Sequence, residues 1–230
     1  MFSLTSCIRF SLITGLASLL SLASLLGSAS SSVARESGGA CGIANGGFEI
    51  GDFTGWETIG RTNIETARYG SGPTEGSKQA LLDTFSEQTV NMVELARFLN
   101  IEVGDINNLG EVYEGSAIKT TFRVGIGDIL MFDWNFLTKD FQSENYNDFA
   151  FFTLSPIGTN KLANTFSIFP ISLRDLTDFE YQTGFQTYSY TFTTAGTYTL
   201  GFGVVDVGDG FAESGLLIDN VSLSNSSRRP

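Results

Sequence analysis

The chain has 230 residues, a formal net charge of −12, 26 glycines and no histidine. Its length and 42% hydrophobic content support a buried core, and 13% aromatic residues exclude a disordered chain. The missing imidazole excludes Ser-His-Asp and Cys-His nucleophile systems and His-bound zinc or iron, while 25 acidic against 13 basic residues argue against nucleic acid as a partner.

Residues 1–34 carry one charge, Arg9, and no acid. An apolar run from Phe10 to Leu26 leads to the small residues around Ala29 and Ala34, which predicts a secretory signal cleaved after one of those alanines and an extracellular mature protein. Residues 35–42 read as a flexible Ser/Gly-containing lead-in. Cys7 falls in the signal, so Cys41 is left without an internal disulfide partner, and stability must come from packing or a bound ion. No later segment reaches the roughly 18 apolar residues of a membrane helix, so no membrane span is expected in the mature chain.

From residue 43 to 224 short alternating stretches separated by Gly, Asn and Asp predict one all-β, antiparallel sandwich domain, followed by a polar tail over 225–230. One segment departs from that rhythm. Met92, Leu95, Ala96 and Leu99 recur at helical spacing, which predicts a helical insertion over 87–100 with Ser86 as its N-cap. Asp105–Gly110 then reads as the turn leading out. Strands are expected at Ala117–Val124 and across Ile126–Phe136, where Leu130, Phe132, Trp134 and Phe136 share the core face while Met131, Asp133 and Asn135 share the other. Asp148–Leu154 is the next strand and is expected to form a hairpin with the preceding one. Further strands are expected at Thr187–Thr193, Thr197–Val207 and Gly215–Leu223. The tyrosines Tyr188 and Tyr190, in line with Phe192, suit core packing better than a sugar platform.

The proposed hairpin brings Asn135 near Asp148 at one end, and Asp206, Asp209 and Glu213 crowd one loop. These groups can hydrogen-bond a sugar, hold a cation or stand in water, and their spacing is not that of an EF-hand. Gly201-Phe-Gly and Gly208-Asp-Gly lack the strand-to-helix setting of a phosphate loop. Ser116-Ala-Ile-Lys119 matches a Ser-x-x-Lys pattern, but in a strand residues three apart point to opposite faces.

Asn45-Gly-Gly-Phe-Glu-Ile-Gly-Asp-Phe-Thr-Gly-Trp56, paired with Gly215-Leu-Leu-Ile-Asp-Asn-Val-Ser-Leu223, resembles the opening and closing strands of galactose-binding-like jelly rolls, the fold of many secreted carbohydrate-binding modules. The middle of the chain (Glu114–Lys119, Phe132–Leu137, Asn147–Phe151 and Gly203–Asp209) resembles exported bacterial proteins, frequent in cyanobacteria, that often carry a Pro-Glu-Pro sorting tail. This chain ends at Asn225-Ser-Ser-Arg-Arg-Pro230 without that triplet. The resemblance implies a structural calcium that clips the first strand to the last through Glu49 and Asp219. Such an ion takes about 6–8 oxygen ligands and relieves repulsion between the carboxylates. The implied function is a secreted, non-catalytic module for extracellular polysaccharide. A structural or adhesive envelope protein and a carboxylate-dependent glycoside hydrolase are the alternatives from other classes.

Overall fold

A computed structural model describes residues 42–67, 71–85, 88–140, 142–169, 179–208, 210 and 212–224. The expected signal segment, Cys41, Ser86, Glu87, Asp209 and the tail lie outside the described residues. Everything that follows concerns the unit Gly42–Pro230.

Two antiparallel sheets face each other. In one, β1 (Glu57–Ile59), β5 (Val112–Val124), β11 (Gly196–Val207), β7 (Phe149–Ser155) and β8 (Gly158–Asn164) lie side by side in that order, with β4 (Val90–Asn91) also paired to β5. In the other, the order is β10 (Gln186–Thr191), β6 (Ile129–Thr138), β12 (Ser214–Ser224), β3 (Gln79–Asp83) and β2 (Arg61–Glu65), with β9 (Tyr181–Gln182) paired to β6. The all-β antiparallel sandwich expected from the alternating pattern is therefore the observed architecture.

The core lies between the sheets and is built from one parity of each long strand. Leu130, Phe132 and Phe136 of β6 meet Phe152 of β7 and Phe202 of β11. Phe132 sits at the centre: its ring centroid is 4.8 Å from Phe202, 5.4 Å from Phe152 and 5.1 Å from Tyr188. Tyr188 and Tyr190 pack against this core, as their alignment with Phe192 predicts. Phe48 and Trp56, from the turn-rich segment before β1, plug one end with ring centroids 5.4 Å apart.

Three local expectations are corrected. First, β6 and β7 do not form a hairpin. They belong to different sheets, because both carry large aromatic faces and Phe132 and Phe152 can be buried only by facing each other. The polar segment after Thr138 is long enough to cross from one sheet to the other. Second, Asn45–Trp56 is a series of turns rather than a strand, held to the last strand by the Val221 amide donating to Gly46 O. Third, the insertion is two helices. Residues 90–91 are strand, and α1 (Met92–Leu99) starts after Asn91, whose side chain accepts from the Val93 and Glu94 amides. The segment expected as a turn, Asp105–Gly110, overlaps the end of α2 (Val103–Asn107).

Helix α1 lies on the outer face of the first sheet, not over an end of the sandwich. Leu95, Ala96 and Leu99 form a second core with Ala117, Phe149, Phe151 and Val205. Two glycines of β11 make the seat. A Cβ on Gly201 would stand 2.5 Å from Leu99 Cδ2, and one on Gly203 would stand 2.5 Å from the Phe151 ring. Lys161 of β8 reaches over the Phe149 ring, 4.5 Å from its centroid, and donates to Leu109 O just past α2.

Candidate functional site

Glu49 and Asp219 grip the same strap, Thr74–Lys78, which leads into β3. Glu49 Oε1 accepts the amides of Ser77 (2.8 Å) and Lys78 (2.7 Å), which hold its carboxyl below the usual range. Asp219 is fully buried, and its Oδ2 accepts the amides of Thr74 (2.6 Å) and Glu75 (2.9 Å). Burial pushes its carboxyl up, against those hydrogen bonds. The two acids thus fasten opposite ends of one segment. The neighbour of Asp219 is instead Glu75: its Oε2 lies 2.6 Å, and Asp219 Oδ1 3.8 Å, from the point where a Gly47 Cβ would be. Two carboxylate oxygens thus converge beside Gly47, whose missing side chain lets Glu75 come close. Among the described residues no three acidic side chains converge on one point, so carbonyl oxygens would have to complete an ion's shell.

Below the strap, Asp133 and Asp219 are cross-strand partners on the outer face of β6 and β12. Sequence parity puts Asp133 and Asn135 outside the aromatic core, and so they are, yet both are buried. The Thr74 hydroxyl lies 2.8 Å from Asp133 Oδ2 and 3.1 Å from Asp219 Oδ2, and Thr187 donates to Asp133 Oδ1 at 2.6 Å. Asn135 donates to Gln182 Oε1 (2.7 Å) and to Ser71 Oγ (3.0 Å). The strap and the segment around Gln182 therefore roof this face, and Asn135 serves that roof rather than an open surface.

Asp148 does not join Asn135, because their strands belong to different sheets. It is fully buried at the start of β7, where Oδ1 accepts the Val207 amide at 2.9 Å and Oδ2 accepts the Ser214 hydroxyl at 2.6 Å. Ser214 Oγ is in turn 2.9 Å from Thr138 Oγ1. Asp148 thereby ties the ends of three strands together. Asp206 is buried on β11 opposite Glu114 of β5, whose carboxylate accepts from the Thr89 hydroxyl. Asp209 lies outside the described residues.

An open concavity lies elsewhere. A cleft of about 350 Å³ lies between the end of α1, the start of α2 and the β7–β8 turn. Arg97 and Asn100 come from the end of α1, Glu102 and Asp105 from the start of α2, and Ser155 and Thr159 from the hairpin. The chain turns at Asn100, which takes a left-handed φ of 56°, and the Asn100 amide donates to Arg97 O. Asp105 Oδ2 accepts the Glu102 amide at 3.3 Å, which aims the first turn of α2. The guanidinium and side-chain amide donate, the carboxylates accept, and the hydroxyls do both. Such a mixed array suits a ligand dense in hydroxyl groups. None of these residues was nominated from the sequence. Asn100 closing an amphipathic helix is a legible stop signal, but the hairpin opposite it is visible only in the fold.

Neither a protein-family model nor a curated protein matches this sequence. Among solved structures, similar architectures include a family 61 carbohydrate-binding module in complex with β-1,4-galactotriose, at 14% identity and a TM-score of 0.44 over 80% of this chain and 97% of that one. The K1 cleaved adhesin domain of Lys-gingipain from Porphyromonas gingivalis W83 is similar at 14% identity and a TM-score of 0.41, over 78% of this chain and 96% of that one. A family 27 carbohydrate-binding module described for mannan recognition is similar at 17% identity and a TM-score of 0.38, over 77% and 90% respectively.

Proposed function

We propose that this domain is an exported, non-catalytic sugar-binding module that meets extracellular polysaccharide through the cleft between α1, α2 and the β7–β8 turn. The observation that carries the reading is the cleft itself. It collects one guanidinium, one side-chain amide, two carboxylates and two hydroxyls around a volume of about 350 Å³. That volume is at the lower end of small-molecule sites, on the order of 300–1,000 Å³. Planar bidentate groups of this kind pair with adjacent sugar hydroxyls and give orientation without needing a charged ligand. Export rests on the charge and small-residue pattern of residues 1–34. No helix of the described residues is long and apolar enough to cross a membrane.

The test is titration calorimetry of the mature protein against neutral oligosaccharides, beside the double variant Arg97→Ala, Asp105→Ala. Saturable binding by wild type and its loss in the double variant is the expected result. Equal binding by both would remove the cleft from the reading. Product analysis of the same mixtures separates binding from hydrolysis, because any glycoside hydrolase would shorten the oligosaccharide.

Calcium belongs to the same proposal as a structural ion. Glu75 and Asp219 at the Gly47 position would hold it, with backbone carbonyls, while Glu49 fastens the far end of the strap. Bound there, the ion would supply positive charge between carboxylates and lock the strap to the last strand. Thermal melts in calcium and in chelator should differ by several degrees, and Asp219→Ala should erase the difference.

A further inference from the structure

Each sheet of an open sandwich ends in strands whose outer backbone groups lack a neighbour, and such edges pair with other chains unless they are guarded. Among the described residues three of the four edges are guarded. In the first sheet one edge is made of β1 and β4, only three and two residues long, and the other is β8, which carries Lys161 and a β-bulge opposite Ala150 and Phe151. In the second sheet β2 bears a charge at each end, Arg61 and Glu65. The fourth edge, β10, reads Gln186-Thr-Tyr-Ser-Tyr-Thr191. Its six residues stay in unbroken register with β6, carry no charge, proline or bulge, and are rich in strand-forming Thr and Tyr. No strand of the described residues pairs with its outer side, and Gln186, Thr187, Ser189 and Thr191 are exposed.

We propose that β10 is a self-association edge: it pairs antiparallel with β10 of a second copy of this chain, about a two-fold axis, and joins two sheets into one. Charge selects the partner. The chain has a net charge of −12, so two copies repel over most of their surfaces, whereas 181–205 holds no Asp, Glu, Lys or Arg and lets them meet. A basic partner would find no carboxylate on this strand. Symmetry then decides what meets what. Opposed residues of an antiparallel pair point to one face, and Thr187, Ser189 and Thr191 share the outer face with Met131 and Asp133. The two face-preserving registers nearest full overlap therefore put either Tyr188 or Ser189 on the axis. In one, Ser189 stands opposite itself; in the other, opposite Thr187 of the second copy.

The experiment is sedimentation velocity of the mature protein over a range of concentrations, beside Ser189→Lys, Ser189→Glu and, on the guarded edge β2, Asn63→Lys. Wild type should pass from monomer to dimer as concentration rises. Either Ser189 variant sets like charges facing each other near the axis and should dimerise at least about tenfold more weakly, which is about 1.4 kcal/mol. Melting at low concentration should be unchanged, because Ser189 is exposed. Mixed in equal amounts, Ser189→Lys and Ser189→Glu should recover the dimer, since the axis then joins opposite charges, and high salt should weaken that recovery. Asn63→Lys should dimerise as wild type does. A wild type that stays monomeric at every concentration, a dimer unweakened by Ser189→Lys or weakened equally by Asn63→Lys, or a charge-swapped mixture that stays monomeric would overturn the inference. None of these outcomes touches the sugar-binding reading, which the oligosaccharide titrations test.

Discussion

The aromatic face of β6 offers the sharpest test of the packing. By sequence Phe132, Trp134 and Phe136 are equivalent, since all share one parity. The structure separates them: Phe132 and Phe136 are fully buried, and Trp134 is only partly buried at the β10 edge, opposite Gln186. Phe132→Ala removes a ring with three aromatic neighbours in a site that cannot collapse, because Phe202 and Phe152 are themselves pinned on another sheet. Its cost should be about 3–5 kcal/mol, a large part of the roughly 5–15 kcal/mol by which a domain is stable. For a domain of this size each kcal/mol shifts the melting temperature by about 2–4 °C, so a fall of about 10 °C is expected. Trp134→Ala should cost about 1–2 kcal/mol, because water already reaches part of the side chain. Urea unfolding of the three proteins with matched m-values measures the difference. A Trp134→Ala loss as large as that of Phe132→Ala would refute the assigned geometry of β6.

Other consequences follow from the charged groups and the helix seat. Burial raises the Asp83 carboxyl to about 6 despite Arg61 at 3.0 Å, so the native state binds more protons than the unfolded chain between about pH 4 and pH 6. Its contribution should therefore fall as pH rises through that window, by about 3 kcal/mol in total, and Asp83→Asn should flatten the slope in denaturation curves taken across it. Glu49 has the opposite sign: its carboxyl is lowered by the Ser77 and Lys78 amides, so its contribution is lost as pH falls through the lowered value. Glu49→Gln should remove that acid sensitivity, read as protease cleavage within Thr74–Lys78 at low pH; cleavage with an unchanged pH profile would contradict the strap. Gly203→Val should cost about 1–3 kcal/mol by driving a side chain into Phe151, and hydrogen exchange should rise first in α1.

Much of the fold was legible because its strands carry two-residue periodicity over aromatic residues, as in Leu130 to Phe136. What that pattern cannot say is which sheet a strand joins. Residues 129–138 and 149–155 both read as strands with buried faces, and only the need for Phe132 to meet Phe152 puts them on opposite sheets. Burial misled in the other direction. Asp133, Asn135 and Asp148 are polar and lie away from or beside the aromatic core, which suggested open surface, yet chain segments distant in sequence cover all three. The Glu49 and Asp219 motifs were expected to share an ion, and in the structure both carboxylates accept amides of one segment. That the link runs through the amides of 74–78 was invisible, since amides carry no sequence signature. The cleft was missed for the same reason: Arg97 and Thr159 come to line one cleft only when the helix end stands over the hairpin.

The seat of α1 on Gly201 and Gly203 also decides which surface the first sheet leaves uncovered. With that helix resting on β11, the middle of the first sheet's outer face is covered among the described residues. On the opposite sheet, the strap and the residues around Gln182 occupy the middle. Among the described residues a cleft stays open at a corner, beside the β7–β8 turn, where neither cover reaches.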